Sequence, residues 1–306
     1  MNKKSRLSRL MVILSAVLWG TYGSFVTWIT ELGIERNAQI FLRFLMTVLP
    51  VGIFMALRDR SLFRVKKRDL FLFAANAVFS LYFCSACSTA AIKETKIATA
   101  AALLYTAPVF VMIFSVILFQ EKLNSLKVLC VLLSVIGCAL ASGLGGDLFV
   151  ADISGGKTIS MNGLLLGLGA GLGYALYSIF SRIILNKGYS VLTNIFYSFL
   201  VVDILFLLTS IRDGSFSRMA LSPKGAAAGL LCGLVTGCAA YLLYTLGMEK
   251  METSRAAQLA TIEPVTAAVL GTLLFHQPLS GFEIVGITLV VLSVIMMNAK
   301  KEENLL

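Results

Sequence analysis

The sequence predicts an all-α polytopic membrane protein: ten transmembrane helices arranged as two inverted five-helix repeats. Three observations carry that prediction. Apolar runs of roughly 20 residues recur along the whole chain, and each is long enough as a helix to cross a hydrocarbon layer about 30 Å thick. Apolar residues make up 58% of the 306-residue chain and charged residues only 14%, whereas soluble domains are about a quarter charged. The stretch Ala98–Phe119 occurs again at Ser254–Phe275. Aligning Pro108 with Pro264 fixes a shift of 156 positions, at which ten pairs between Ala100 and Gly137 and their counterparts are identical. Most other pairs exchange one apolar residue for another, which is the mark of an internal duplication.

The spans fall at roughly 9–30, 38–57, 70–91, 97–119, 125–143, 162–185, 190–210, 225–248, 255–275 and 281–298. The first follows a basic start like that of a secretory signal, but its apolar part exceeds a signal core and Trp19, Gly20 and Tyr22 make a poor cleavage site, so it is read as a membrane helix. Four units follow: a first repeat over 1–143, an extracytoplasmic linker over 144–161, a second repeat over 162–298 and a cytoplasmic tail over 299–306. With the N-terminus inside, the cytoplasmic segments hold 18 basic residues and the opposite side 7, which sets both termini in the cytoplasm of a bacterial inner (plasma) membrane. Five spans per repeat is an odd number. The second copy therefore enters from the opposite face, and such inverted pairs place a shared site near the midplane. Pro108 and Pro264 are expected to bend their helices, because proline has no N–H and its ring clashes with a preceding carbonyl. Glycines at four-residue spacing, Gly225 to Gly237 and Gly163 to Gly171, mark faces where another backbone approaches closely.

The composition excludes several classes. The net charge of +10 sits in short segments between apolar runs, where it orients helices rather than binding nucleic acid. All six cysteines lie in apolar segments; Cys84-x-x-Cys87 has no second pair or nearby histidine to complete a metal site. Gly145-Gly146 lacks the Lys and Ser/Thr of a phosphate loop. No cofactor or metal is expected, and the lone His276, without triad partners, points away from catalysis.

Polar side chains deep in membrane spans carry the functional reading, because charge there is expensive and faces a cavity or a partner. Arg43 either meets an acid or a substrate carboxylate, or snorkels to the nearby interface. Glu263, immediately before Pro264, handles substrate or protons if a wet pocket opens beside it, or clamps helices as an ion pair. Asp203 is the second proton-coupling candidate. Aromatics with a polar handle, Trp19, Tyr22, Tyr82, Tyr105, Tyr177, Tyr197, Tyr241 and Tyr244, with Asn76, Thr106 and Gln258, suit the wall of a cavity for an amphipathic small molecule.

Leu18-Trp19-Gly20, Arg43, Ala107-Pro108, Phe119-Gln120-Glu121, Ile262-Glu263-Pro264-Val265 and Phe275-His276-Gln277, in this order within a five-plus-five layout, resemble the drug/metabolite transporter superfamily, in particular its ten-helix EamA-type branch. The pattern departs from that branch at Gln277, where such proteins commonly carry Glu. The resemblance implies a central cavity built by helices 1 to 4 and 6 to 9, with helices 5 and 10 peripheral. It also implies transport of small metabolites, often amino acids leaving the cell, without nucleotide hydrolysis. The expected partners are therefore a small-molecule substrate and the lipid bilayer, with the chain a monomer or homodimer. Export of cationic drugs, served by Glu263 and Asp203, is the alternative; an integral-membrane enzyme acting on lipids would need clustered acids or histidines that the loops do not offer.

Overall fold

The computed structural model describes residues 3–95, 97–144, 160–219, 221–276 and 278–299. Most of the expected linker, most of the C-terminal tail and Gln277 lie outside the described residues. Membrane-length helices are α1 Arg6–Glu31, α2 Arg36–Arg58, α3 Lys67–Glu94 and α4 Ile97–Phe119, followed by the shorter apolar α5 Ser125–Ala141. The second half repeats the order with α6 Met161–Asn186, α7 Val191–Arg212, α8 Pro223–Met248, α9 Thr253–Leu274 and the shorter α10 Gly281–Met297. Among the described residues eight helices thus have full spanning length, and α5 and α10 lie at the short end of what crosses a bilayer.

The packing has two-fold character. α2 runs along α7 and α5 along α10, while α1 lies against α8 and α9 just as α6 lies against α3 and α4. Irregularities are duplicated as well. Seven-residue π-helical stretches occur at Asn76–Tyr82 in α3 and Gly233–Ala239 in α8. α4 breaks at Tyr105–Thr106 and α9 at Thr261, each about three residues before a proline, where the ring displaces the carbonyl that would have closed the turn. Gln120 (φ 55°) and His276 (φ 53°) end the two helices in the left-handed conformation.

Glycine stripes set the distances between these layers. Gly225, Gly229, Gly233 and Gly237 of α8 face Ile34, Leu42, Arg43 and Thr47 on and just before α2. A methyl group at Gly233 would sit 2.8 Å from the Leu42 carbonyl oxygen and 2.9 Å from Arg43 Cα, closer than any packed carbon tolerates. The α2 backbone therefore rides directly on the π-helical part of α8. Gly167 and Gly171 of α6 receive Leu103 and Thr106 of α4 in the same way.

Candidate functional site

Between the halves lies a cavity of about 840 Å³, its open mouth included, lined by residues of α1, α2, α3, α4, α6, α8 and α9. α7 contributes none of the lining residues: it lies along α2, and two of its polar groups bond to other helices. Asn194 and Ser198 of α7 bond Asn76 of α3, and Asn194 also donates to Ser181 of α6.

The π-helical stretch of α8 shapes the first polar corner. Such a bulge shifts the backbone ladder and leaves a carbonyl free for side chains. Here the Thr236 carbonyl accepts from Trp19 Nε1 at 3.1 Å and from Arg43 Nη2 at 3.1 Å. The Arg43 guanidinium lies over the Tyr22 ring, 4.1 Å from its centroid, and 5.8 Å from that of Tyr241. Contacts of this kind contribute about 0.5–2 kcal/mol when desolvated, and they hold the cation in the cavity.

The second polar corner stands at the α9 break. Glu263, in the first turn after Thr261, accepts a hydrogen bond from Tyr174 Oη at 2.9 Å, and Tyr105 lies beside the same carboxylate. Among the described residues no ion pair joins Glu263 to Arg43. Aromatic rings wall the same cavity: Trp19 meets Tyr241 at 5.0 Å and Tyr174 at 6.0 Å, both edge-on, and Tyr177 meets Tyr241 at 5.0 Å.

The structure thus brings Trp19, Tyr22, Arg43, Tyr177, Tyr241, Tyr244 and Glu263 together around one cavity, and sets other candidates apart from its lining. Asn76 is fully buried in the α3–α7 network described above. Tyr82 packs on Phe206. Thr106 donates to the Leu103 carbonyl within its own helix at 2.7 Å. Tyr197 donates to the Phe63 carbonyl. Gln258 bonds Ser134 of α5 and Ser293 of α10, which ties α9 to the α5–α10 pair. Asp203 is buried in α7 with one carboxylate oxygen unpartnered.

The two ends of the cavity differ. At one end the lining residues Arg36, Ser85 and Ser88 are partly exposed and mark the mouth, where Arg36 Nε donates to Thr89 Oγ1 of α3 at 2.9 Å. At the other, Tyr177 Oη and Thr245 Oγ1 pair at 2.9 Å and Ser178 Oγ and Tyr244 Oη at 2.7 Å. Beneath them Arg182 donates to Thr253 Oγ1 at 2.8 Å and to the Met248 and Met251 carbonyls. Glu121 accepts from the Thr253 amide at 2.6 Å and from the Ser254 amide and hydroxyl, and Lys127 pairs with Glu252 at 2.8 Å. This latch joins α6 and the α4–α5 connection to the α8–α9 turn. The sequence pattern does not reveal it: Arg182 is one of the 18 basic residues on the cytoplasmic side and Glu121 one member of the Phe119-Gln120-Glu121 motif. The spacing Tyr174, Ser178, Arg182 puts three polar side chains on one helix face, the signal that would have found the arginine.

A duplicated helical bundle around a polar, aromatic-walled cavity, open at one end and latched at the other, is the architecture of a membrane transporter. The chain belongs to the EamA-like transporter family, which matches residues 6–143 and again 161–299. It is 26% identical over 305 residues to the uncharacterized transporter YwfM of Bacillus subtilis, covering 97% of this chain and 95% of that one. To an uncharacterized transporter of Archaeoglobus fulgidus it is 29% identical over 291 residues, 95% and 96% of the two chains. A Salmonella typhimurium protein named a probable amino-acid metabolite efflux pump is 25% identical over 297 residues, 94% and 93% of the chains. A crystal structure of a protein 17% identical shares the fold, with a TM-score of 0.76 over 95% of this chain and 96% of the other.

Proposed function

We propose that the protein exports small zwitterionic metabolites, amino acids or related compounds, by alternating access. The single observation that carries this reading is a guanidinium and a carboxylate in one aromatic cavity without an ion pair between them. A zwitterion supplies the missing partner to each. Its carboxylate meets the Arg43 fork bidentately, its ammonium meets Glu263, and its side chain lies on the Trp19 and Tyr241 rings. Each charge buried at mid-span costs about 2.5–3.5 kcal/mol on insertion scales, and the bound zwitterion offsets part of both costs at once. The name of the Salmonella relative, a probable amino-acid metabolite efflux pump, supports the same substrate class.

With both termini in the cytoplasm of a bacterial inner membrane, the open mouth faces outward and the latch closes the cytoplasmic end. The structure then corresponds to the release state of an exporter. Glu263 is the group that exchanges a proton for substrate if transport is proton-coupled. A purely cationic drug is disfavoured, because Arg43 would repel it and Asp203 is not among the lining residues. The test is uptake and efflux of a panel of amino acids by purified protein in liposomes. Movement of at least one zwitterion that Arg43→Ala abolishes supports the reading; movement of cations with unaltered rates in Arg43→Ala overturns it.

A further inference from the structure

The aromatic wall of the cavity is itself duplicated, at a shift of 155 rather than 156. Trp19-x-x-Tyr22-x-x-Phe25 in α1 aligns with Tyr174-x-x-Tyr177-x-x-Phe180 in α6. Packing supports this register independently. Gly20 lies against Thr266 and the Glu263 carbonyl of α9, and its counterpart Ala175 clusters with Ala107 and Phe110 of α4, the counterparts of those same α9 residues. In α3 and α8 the π-helical stretches set a shift of 157. At that shift Ser88 corresponds to Thr245.

The two registers meet at one interaction. Tyr177 and Thr245 hydrogen-bond across the latched end of the cavity. Their counterparts, Tyr22 and Ser88, both line the cavity toward the open mouth, and neither side chain hydrogen-bonds another described residue. One member of a symmetric pair of contacts is made and the other is open.

We infer that Tyr22 and Ser88 are the second half of a duplicated gate: when the cavity opens to the latched side, Tyr177 parts from Thr245 and the Tyr22 hydroxyl closes on Ser88 across the mouth. An inverted repeat can exchange the conformations of its halves, so a contact closed in one copy and open in the other identifies what forms when they swap. Tyr22 also carries the Arg43 guanidinium on its ring. Its swing toward Ser88 moves the cation that holds the substrate carboxylate, which couples binding to closure. This gate rests on the transport reading for its purpose, but not for its test.

The test is thiol labelling of purified protein in nanodiscs, where both faces meet a water-soluble maleimide and no substrate is needed. The background has the six native cysteines replaced. Reporters are Ser85→Cys at the mouth and Met248→Cys, fully buried one turn beyond Thr245. Tyr177→Phe, or Thr245→Val should the first variant not fold, removes the closed contact. It should raise Met248→Cys labelling and lower Ser85→Cys labelling, each by about fivefold, the weight of one hydrogen bond in a two-state equilibrium. Tyr22→Phe and Ser88→Ala should shift both reporters in the opposite direction. Labelling that rises at both reporters or stays unchanged, or the same sign of shift from both pairs of variants, overturns the gate. Reciprocal labelling with no zwitterion moving in liposomes would retain the gate and discard the substrate reading.

Discussion

The two halves share a scaffold and differ in charge. Helix breaks, π-helical stretches, left-handed caps and the aromatic triplet recur in both copies at nearly constant shifts. Even the turns that leave α2 and α7 match: Asp59 accepts the Ser61 amide and Asp213 the Ser215 amide, both at 2.9 Å. The ionisable groups of the cavity occur once each. At the shift of 155, in which Phe44 of α2 meets its counterpart Phe199 of α7, Arg43 corresponds to Ser198, and at the shift of 156 Glu263 corresponds to Ala107. On the proposed reading, duplication explains the frame and the means of moving, whereas the single-copy charges define what is held. A symmetric cavity would place like charges together; Arg43 and Glu263 at its two polar corners, with Arg36 at the mouth, would give a substrate two distinguishable ends.

The largest effect expected from this contrast is at the single-copy charges. Arg43→Ala or Glu263→Gln should lower transport by at least tenfold, as the loss of a charge-assisted hydrogen bond of about 1.5–3 kcal/mol implies. Ser198→Ala, at the position matching Arg43, should leave transport within about twofold; liposome flux measures both. Equal losses at Arg43 and Ser198 would break the division between frame and function.

The next effect concerns the frame. Gly233→Val forces a branched side chain against Leu42 O and Arg43 Cα and should destabilise the protein by about 1–3 kcal/mol, read as an earlier thermal transition in detergent. Glu121→Gln weakens acceptance from the Thr253 and Ser254 amides and should increase proteolysis or labelling of the α8–α9 turn severalfold while leaving the mouth residue Ser85 no more reactive. A uniform increase at both ends would mean that Glu121 supports the whole bundle rather than the latch.

The smallest effect lies in the matched turns. The Ser61 side chain and amide hold the exposed Asp59 carboxyl below its usual range. At Asp213, burial opposes ionisation but the Ser215 and Asn37 hydrogen bonds outweigh it, and the carboxyl again titrates low. A depressed folded-state value contributes stability above the ordinary Asp range of about 3.9, lost as pH falls through the folded value. Asp59→Asn and Asp213→Asn should each flatten the acid limb of a thermal-stability profile slightly, and a steeper limb in either would contradict the matched role.

The fold was legible because its signals are long-range and redundant: apolar runs, the Pro108–Pro264 repeat and the glycine stripes all survive local ambiguity. Arg43, Glu263 and the Trp19–Tyr241 wall were legible because buried charge and polar aromatics are rare and conspicuous in membrane helices. Asn76, Tyr197 and Gln258 are conspicuous for the same reason, and the structure sets them outside the cavity lining. A polar side chain in a span has to find a partner, and one sequence does not say whether that partner is a ligand or another helix. The latch was hidden because Arg182 and Glu121 sit at helix ends, where charge is ordinary. The π-helical carbonyl of Thr236 leaves no side-chain pattern at all.

Counterflow of a radiolabelled zwitterionic amino acid across liposomes containing the purified protein tests the central claim most directly, run beside Arg43→Ala and the decarboxylated amine of the same compound. The account predicts exchange of the amino acid by the native protein, loss of that exchange in Arg43→Ala, and little movement of the amine by the native protein. Native exchange of the amine at the rate of the amino acid, unaffected by Arg43→Ala, would contradict it.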